Sequence, residues 1–228
     1  MAFHRCGRRA VFAVVAVITG AAATMSGALA QSYPVIENTE DRPDPWIING
    51  CVIAPKTVCH NADLRHADLR HANLEGADLK GANMARADLR HANLNGADLS
   101  GTNLDGADML IAFMARTNLN GASLRGANFK SARLPKADLS NTDLTAASLE
   151  NAWVKEARFK NARFINTDLQ ETKFYGADLS NAVFDGVRIR FAIFQDAFME
   201  GCKGCPHDWQ TGVAQWSQDP ARWEPGPQ

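Results

Sequence analysis

The sequence predicts an all-β solenoid built from stacked parallel coils, and three observations carry that prediction. An apolar residue occupies every fifth position from Leu64 to Met199 without a break, which makes 28 consecutive units. The residue two places before each apolar centre is Ala or Thr, with Val187 as the one exception. Glycine and asparagine are frequent in the two positions after the centre, where tight turns need residues that tolerate positive φ.

The five-residue period indicates a chain that turns a corner once in every unit. On an α-helix five residues rotate by about 500°, so successive centres would drift by about 140° and form no face. On a straight strand the centres would alternate between opposite faces, because the side-chain period is two. If the chain bends once per unit, each centre and the residue two before it point inward, and the residue between them points outward. The predicted inward centres include Leu64, Leu69, Leu74, Leu79, Leu89, Leu94, Leu99 and Leu104.

The units themselves resemble a known family. The segments Ala62-Asp63-Leu64, Ala67-Asp68-Leu69 and Ala77-Asp78-Leu79, with their successors to residue 201, are similar to pentapeptide repeats. This resemblance implies a right-handed quadrilateral parallel β-helix with four units in each coil. The 28 units then form about seven coils, spaced by about 4.8 Å along the axis. Each coil buries its leucines only by stacking on its neighbours.

The first thirty residues are interpreted as a signal peptide. Arg5, Arg8 and Arg9 precede an apolar stretch over residues 10–25, and residues 28–30 form the Ala-Leu-Ala pattern that predicts cleavage before Gln31. An uncleaved membrane anchor is the alternative. The signal is of the Sec type, so we expect a periplasmic or secreted protein without stable membrane insertion after cleavage, and no later stretch is long enough to span a bilayer.

Four segments follow from these patterns. Both ends of a stacked solenoid expose unpaired backbone and need covering. The Pro-rich residues before the repeats and the tail after them, with Trp209, Trp216 and Trp223, are expected to act as caps. The predicted organisation is signal peptide 1–30, N-terminal cap 31–59, pentapeptide-repeat β-helix 60–201 and C-terminal cap 202–228.

The cysteines that remain after export are predicted to form structural disulfides. About seven coils separate Cys51 and Cys59 from Cys202 and Cys205, and a bridge needs Cα atoms within about 7 Å. Local pairs, Cys51–Cys59 and Cys202–Cys205, therefore fit best. A redox-active Cys202–Cys205 pair and a metal site of these cysteines with His207 are the alternatives.

The charge balance argues against a nucleic-acid partner. Removing residues 1–30 takes three arginines and no acid, so 21 basic and 25 acidic residues remain, a net charge of −4. Some pentapeptide-repeat proteins mimic duplex DNA and protect or inhibit topoisomerases. Residues 60–200 hold 18 acids and 17 bases, which is no polyanion. DNA mimicry is therefore the least favoured function.

One predicted outward column is unusual. With a step of 20 residues it runs Asn73, Asn93, Phe113, Arg133, Trp153, Lys173 and Ile193. Leu110 and Ile111 lie at the corner just before Phe113. An exposed apolar patch usually marks a contact surface, so Leu110, Ile111, Phe113, Trp153 and Ile193 are the predicted partner surface. A partner protein, a homodimer or the N-terminal segment folded back are the candidate occupants.

The sequence contains no pattern that indicates an enzyme. Aspartates recur as repeat elements, so pairs of carboxylates carry no special meaning for acid–base work. There is no Gly-rich phosphate loop or nucleophile elbow. His71 and His91, expected to stack on adjacent coils, make half a metal or anion site at best. We therefore predict an exported, non-catalytic scaffold or protein-binding module without a cofactor; an accessory protein using Cys202 and Cys205 for redox or metal chemistry is the alternative.

Overall fold

A computed structural model describes residues 43–206 of the chain. The predicted signal peptide, the first part of the N-terminal cap and nearly all of the C-terminal cap lie outside the described residues. Four short strands are present: β1 (Ile47–Ile48), β2 (Cys51–Val52), β3 (Arg163–Ile165) and β4 (Val183–Asp185). β1 pairs with β2 antiparallel, and β3 pairs with β4 parallel.

A ladder of single parallel bridges forms most of the molecule. Each bridge joins an outward residue to the residue 20 places further on, from Val58–Asp78 to Val183–Lys203. Because each unit has five residues, a constant step of 20 means that four units complete one coil. The chain is a right-handed parallel β-helix, which confirms the predicted fold class. We name its four sides after the centres of the first full coil: the Leu64, Leu69, Leu74 and Leu79 sides.

The inward centres form one continuous apolar column. Every centre from Leu64 to Leu179 is fully buried, and the alanines between them are nearly so. Burial of a leucine or phenylalanine side chain contributes roughly 1.5–3 kcal/mol, so this column is the main source of stability. At the C-terminal end Ile189 and Met199 are only half-buried.

Threonine replaces alanine at five buried positions, and each of its hydroxyls has a hydrogen-bond acceptor. The Thr117 hydroxyl donates to the carbonyl of Leu94 at 2.8 Å, and the Thr172 hydroxyl donates to the carbonyl of Leu149 at 2.7 Å. Thr102, Thr142 and Thr167 likewise donate to leucine carbonyls. These bonds make the buried hydroxyls tolerable, because an unpaired one would cost about 1–3 kcal/mol.

A β-hairpin covers the N-terminal end of the column. Strands β1 and β2 place Cys51 and Ile53 in the core, and Trp46 packs partly against it. The Asn49 side-chain amide donates to the Asp63 carbonyl at 2.8 Å, which ties the hairpin to the first coil.

Candidate binding surface

Outward aspartates and asparagines close the corners of the coil. On this fold the outward side chain accepts a hydrogen bond from the backbone N–H two residues later. The N–H of Ser100 donates to Asp98 at 3.0 Å, and the N–H of Asn120 donates to Asn118 at 3.1 Å. Such bonds are the usual way in which Asp and Asn stabilise a turn. They give the physical reason for the Asp and Asn that alternate with the inward residues.

On the Leu74 side, Asn73 and Asn93 make this corner bond, but the later outward residues cannot. Five of its seven outward residues lack a side-chain oxygen, whereas only one or two of seven do so on each other side. We call these five the apolar–cationic column; successive bridges place its members one above the other in the order Phe113, Arg133, Trp153, Lys173, Ile193. Where a sequence breaks its own local rule repeatedly on one face, a functional cause is the expected explanation.

Apolar and cationic side chains alternate along the column. With coils about 4.8 Å apart, Phe113, Trp153 and Ile193 follow one another at intervals of about 10 Å. Trp153 is 46% exposed, while Phe113 and Ile193 are half-buried. The guanidinium carbon of Arg133 lies 5.5 Å from the centroid of the Phe113 ring, within the range of a cation–π contact. The predicted partner surface is therefore partly cationic, although the five residues predicted to form it are all apolar.

The corner beside Phe113 adds two apolar residues, one of which has a strained backbone conformation. Leu110 is half-buried there, and Ile111 is 37% exposed with φ of 58°. The left-handed region is a genuine outlier for a β-branched residue and costs about 1–2 kcal/mol. Asn151, two coils further along the same corner, is of a type that tolerates this conformation. The fold imposes this conformation at every corner of the coil, so the unusual feature is the choice of a β-branched residue for it.

The cost of that strain can be measured by creating it elsewhere. We expect Asn151→Ile to lower the free energy of unfolding by about 1–2 kcal/mol, because isoleucine would have to adopt φ near 55° there. The bond from the Asn151 amide to the Ser131 hydroxyl would also be lost. Urea unfolding followed by circular dichroism measures the change. Glu150→Ile, at the preceding residue with ordinary φ, is the matched control; it removes only the exposed ion pair with Lys130 and should change the free energy by less than about 1 kcal/mol.

Cations on the neighbouring Leu69 side are paired with aspartates. Arg70 contacts Asp68 at 2.7 Å, and Arg90 contacts Asp88 at 2.5 Å. Partial burial raises the pKa of Asp88, but the hydrogen bonds from Arg90 lower it by more, so the net shift is downward. Nearby on the Leu64 side, hydrogen bonds from Arg65 lower the pKa of Asp63 to about 2. These carboxylates stay ionised at neutral pH and neutralise the adjacent arginines.

Several cations on and beside the Leu74 side have no carboxylate partner within residues 43–206. Lysines at its two corners pair with two of its glutamates, with Lys130–Glu150 at 2.9 Å and Lys136–Glu156 at 3.3 Å. No ion pair within residues 43–206 involves four other cations of this part of the surface: Arg116, Arg133, Lys173 and Arg190. The Lys173 ammonium donates to the Asn151 side-chain carbonyl, at 3.3 Å. This side therefore offers positive charge to a binding partner.

The cysteines are joined in the two local pairs that the sequence favours. Cys51 and Cys59 have Cα atoms 5.6 Å apart, and Cys202 and Cys205 have Cα atoms 6.0 Å apart. His207 and the three C-terminal tryptophans lie outside the described residues.

The stacked histidines do not form a metal site. The rings of His71 and His91 are 4.9 Å apart and nearly parallel, at 7°. Parallel rings point their nitrogens in the same direction and do not converge on one ion. Over residues 43–206 no group of three or more His, Cys, Asp or Glu side chains is arranged to hold a metal. In that same part of the chain no helix has the length and apolar character needed to cross a bilayer.

Taken with the ladder of bridges, these features define a four-sided repeat solenoid. Eight copies of the pentapeptide repeats model match the chain, in segments between residues 57 and 201. The match covers more than half of the chain, and the chain belongs to the pentapeptide-repeat family. Proteins of this family are generally non-enzymatic structural or binding proteins.

Several solved structures are similar to this chain. HetL, a pentapeptide repeat protein involved in heterocyst differentiation regulation from the cyanobacterium Nostoc sp. strain PCC 7120, is 25% identical over 65% of this chain and 87% of its own, with a TM-score of 0.40. A pentapeptide repeat protein from the Arabidopsis thaliana thylakoid lumen is 32% identical over 49% of this chain and 70% of its own, with a TM-score of 0.31. QnrB1, a plasmid-mediated fluoroquinolone resistance protein, is 22% identical over 66% of this chain and 82% of its own, with a TM-score of 0.35. No curated protein matches the chain.

Proposed function

We propose that this chain is an exported, non-catalytic scaffold that binds a partner protein through the apolar–cationic column and the Leu110–Ile111 corner. The observation that carries the proposal is the loss of Asp and Asn from five of seven outward positions on one side. Each replacement removes the local acceptor of a corner hydrogen bond, worth about 0.5–1.5 kcal/mol, although at Phe113 the Asn95 side chain supplies a substitute acceptor. A loss of corner stabilisation on one side fits a surface that binds another protein.

Two further observations support the same surface. Trp153 is large, exposed and held on a rigid rung, which is typical of the aromatic residues that dominate binding energy at interfaces. Ile111 has a strained backbone conformation at the corner beside Phe113, two coils before Trp153. Export remains a proposal from residues 1–30, which lie outside the described residues.

DNA mimicry is not favoured as a second function. Toward the C-terminal end, outward positions that hold acids on earlier coils hold cations instead: Arg158, Arg163 and Arg188 are examples. A polyanion mimic requires those positions to be acidic, because the nucleic-acid backbone is uniformly negative.

Photocrosslinking in the native organism tests the proposal. A benzophenone amino acid at position 153 is expected to give a discrete adduct with another protein. The same group at position 163, an exposed arginine on the Leu64 side, is the matched control and should give none. Adding Arg133→Glu to the position-153 probe should reduce the adduct at least fivefold. Equal adducts at both positions, or none at position 153, would contradict the proposal.

A further inference from the structure

We infer that the apolar–cationic column binds an acidic amphipathic α-helix of the partner, lying parallel to the solenoid axis. This inference rests on the proposed function and names the kind of partner that fits the surface. It is carried by three properties of the described residues: the spacing of the rungs, the lack of free backbone groups on the face, and the uncompensated cations.

The spacing of the column matches a helix. Its apolar members recur every second coil, about 9.6 Å apart, with a cation midway at about 4.8 Å. An α-helix rises 1.5 Å per residue, so residues seven apart are separated by about 10.5 Å and residues three or four apart by about 4.5–6 Å. A helix with apolar residues at i, i+7 and i+14 therefore places them near Phe113, Trp153 and Ile193. Acidic residues between them, which share that face of the helix, fall near Arg133 and Lys173.

An extended strand fits the same column poorly. Side chains on one face of a strand are about 6.7 Å apart, which exceeds the rung spacing by about 1.9 Å at every step. Over the four steps from Phe113 to Ile193 the mismatch reaches about 8 Å, whereas for a helix it is about 2 Å. Strand addition also needs an exposed sheet edge. The backbone of these coils is already hydrogen-bonded to its neighbours, as between the N–H of Trp153 and the carbonyl of Ala132.

The charges select an acidic helix. Arg133 is exposed and Lys173 half-buried, and neither contacts a carboxylate within residues 43–206. Glu171 at the adjacent corner is the nearest acid along the chain to Lys173, and it forms no ion pair with that lysine. Carboxylates placed between the apolar residues of the helix would reach both cations. Such complementary pairs contribute mainly specificity and association rate.

The corners widen the surface at both ends of the column. Ile111 lies beside Phe113, and Phe191 lies beside Ile193, two residues before it. Phe191 is 47% exposed, with φ of 61°, and the Arg190 guanidinium carbon lies 4.7 Å from its ring centroid. Ile111 and Phe191 thus provide a second apolar side chain at each end of the column. The bound helix is therefore expected to carry additional apolar residues near its two termini, about 13 residues apart.

A designed peptide provides the probe. It has 18 residues, with Leu at positions 1, 8 and 15, Glu at positions 4, 5, 11 and 12, and Ala and Gln elsewhere, and it carries a fluorophore at its end. Anisotropy titration with the purified exported chain is expected to show saturable binding that weakens with added salt. Trp153→Asp should weaken binding at least tenfold. Arg163→Glu, on another side, is the control and should leave it within twofold.

A charge exchange makes the test specific. The variant Arg133→Glu/Lys173→Glu should bind the acidic peptide at least tenfold more weakly than the parent chain does. It should instead bind a peptide with Lys at the four Glu positions. Circular dichroism of each variant must match the parent chain, so that a loss is not due to unfolding. A peptide interrupted by proline at position 9 should bind at least tenfold more weakly, because proline breaks the helix.

Several outcomes would overturn the inference. One is binding of the proline peptide as tight as that of the uninterrupted peptide. Another is unchanged peptide affinity in Trp153→Asp. A third is a charge-exchanged variant that still prefers the acidic peptide. A chain that self-associates and becomes monomeric on Trp153→Asp would show that a second copy occupies the column. A variant without residues 31–42 that binds the peptide tenfold more tightly would show that this segment covers it. If the peptide fails while the crosslink at position 153 persists, the proposed function stands and only the helical partner is excluded.

Discussion

Replacing Phe164 by alanine is expected to lower the free energy of unfolding by about 3–5 kcal/mol, the usual range for truncating a buried phenylalanine. Phe164 is fully buried and stacks on Phe184, with ring centroids 4.6 Å apart. Phe159 and Phe174 also contact it, at 5.4 Å and 6.3 Å. A narrow solenoid has no neighbouring layer that can move in to fill the space, because each rung is held by hydrogen bonds above and below.

Urea unfolding followed by circular dichroism measures this loss. Phe198→Ala is the matched control, because Phe198 is 66% exposed on the outer surface, and should change the free energy by less than about 1 kcal/mol. A similar loss in both variants would mean that the inward column is not what stabilises the fold. Since stability in a solenoid is a sum of coil and interface contributions, hydrogen exchange should also show weaker protection around Phe164 than around Leu79.

The fold could be predicted from the sequence because its rule is periodic. A run of 28 apolar centres leaves no other regular backbone that buries them together, so the inward positions of Leu64 and Leu104 follow from spacing alone. The number of sides did not follow in this way. A five-residue unit is compatible with three, four or five sides, and only the resemblance to the family selected four, which the step of 20 residues between bridges confirms.

The candidate surface was only partly predictable. The sequence shows that Phe113, Trp153 and Ile193 depart from the Asp and Asn pattern. It does not show that Arg133 packs on the Phe113 ring, or that the Trp153 ring is exposed. Backbone strain at Ile111 also escaped prediction, because glycine and asparagine at other corners suggested that only such residues turn there. The position of Ile111 within its unit was an available signal, because the second of the two corner residues in each unit has positive φ. An isoleucine at that position is therefore suspect from sequence alone.

Polar capping and surface recognition compete for the same outward positions of this fold. An Asp or Asn there completes the corner, whereas Trp153 or Phe113 presents an aromatic ring instead; behind Phe113, the N–H of Ala115 donates to the Asn95 side-chain carbonyl at 2.7 Å. Within the 28 units, outward residues without a side-chain oxygen are more frequent on the Leu74 side than on any other side, and they all follow the second coil. The remaining sides keep most of their corner bonds and supply the rigidity that holds the rungs of the column in place.

Removing the N-terminal disulfide should destabilise the chain by about 2.5 kcal/mol. The bridge between Cys51 and Cys59 closes a loop with a sequence separation of 8, and the chain-entropy model gives this magnitude for such a loop. The effect should be local as well as global. Cys51 lies in the capping hairpin and Cys59 occupies the centre position just before Leu64, so the bridge holds the cap on the first coil.

Hydrogen exchange of Cys51→Ala/Cys59→Ala distinguishes these contributions. The amide of Leu64, bonded to the carbonyl of Asn83 at 2.8 Å, should lose protection, while that of Leu119 in the middle of the rod should keep it. The matched control is Cys202→Ala/Cys205→Ala, whose separation of 3 predicts a smaller loss of about 1.6 kcal/mol. Equal loss of protection at Leu64 and Leu119 in the first variant would show that the bridge acts only on the unfolded chain and that the hairpin caps the solenoid without it.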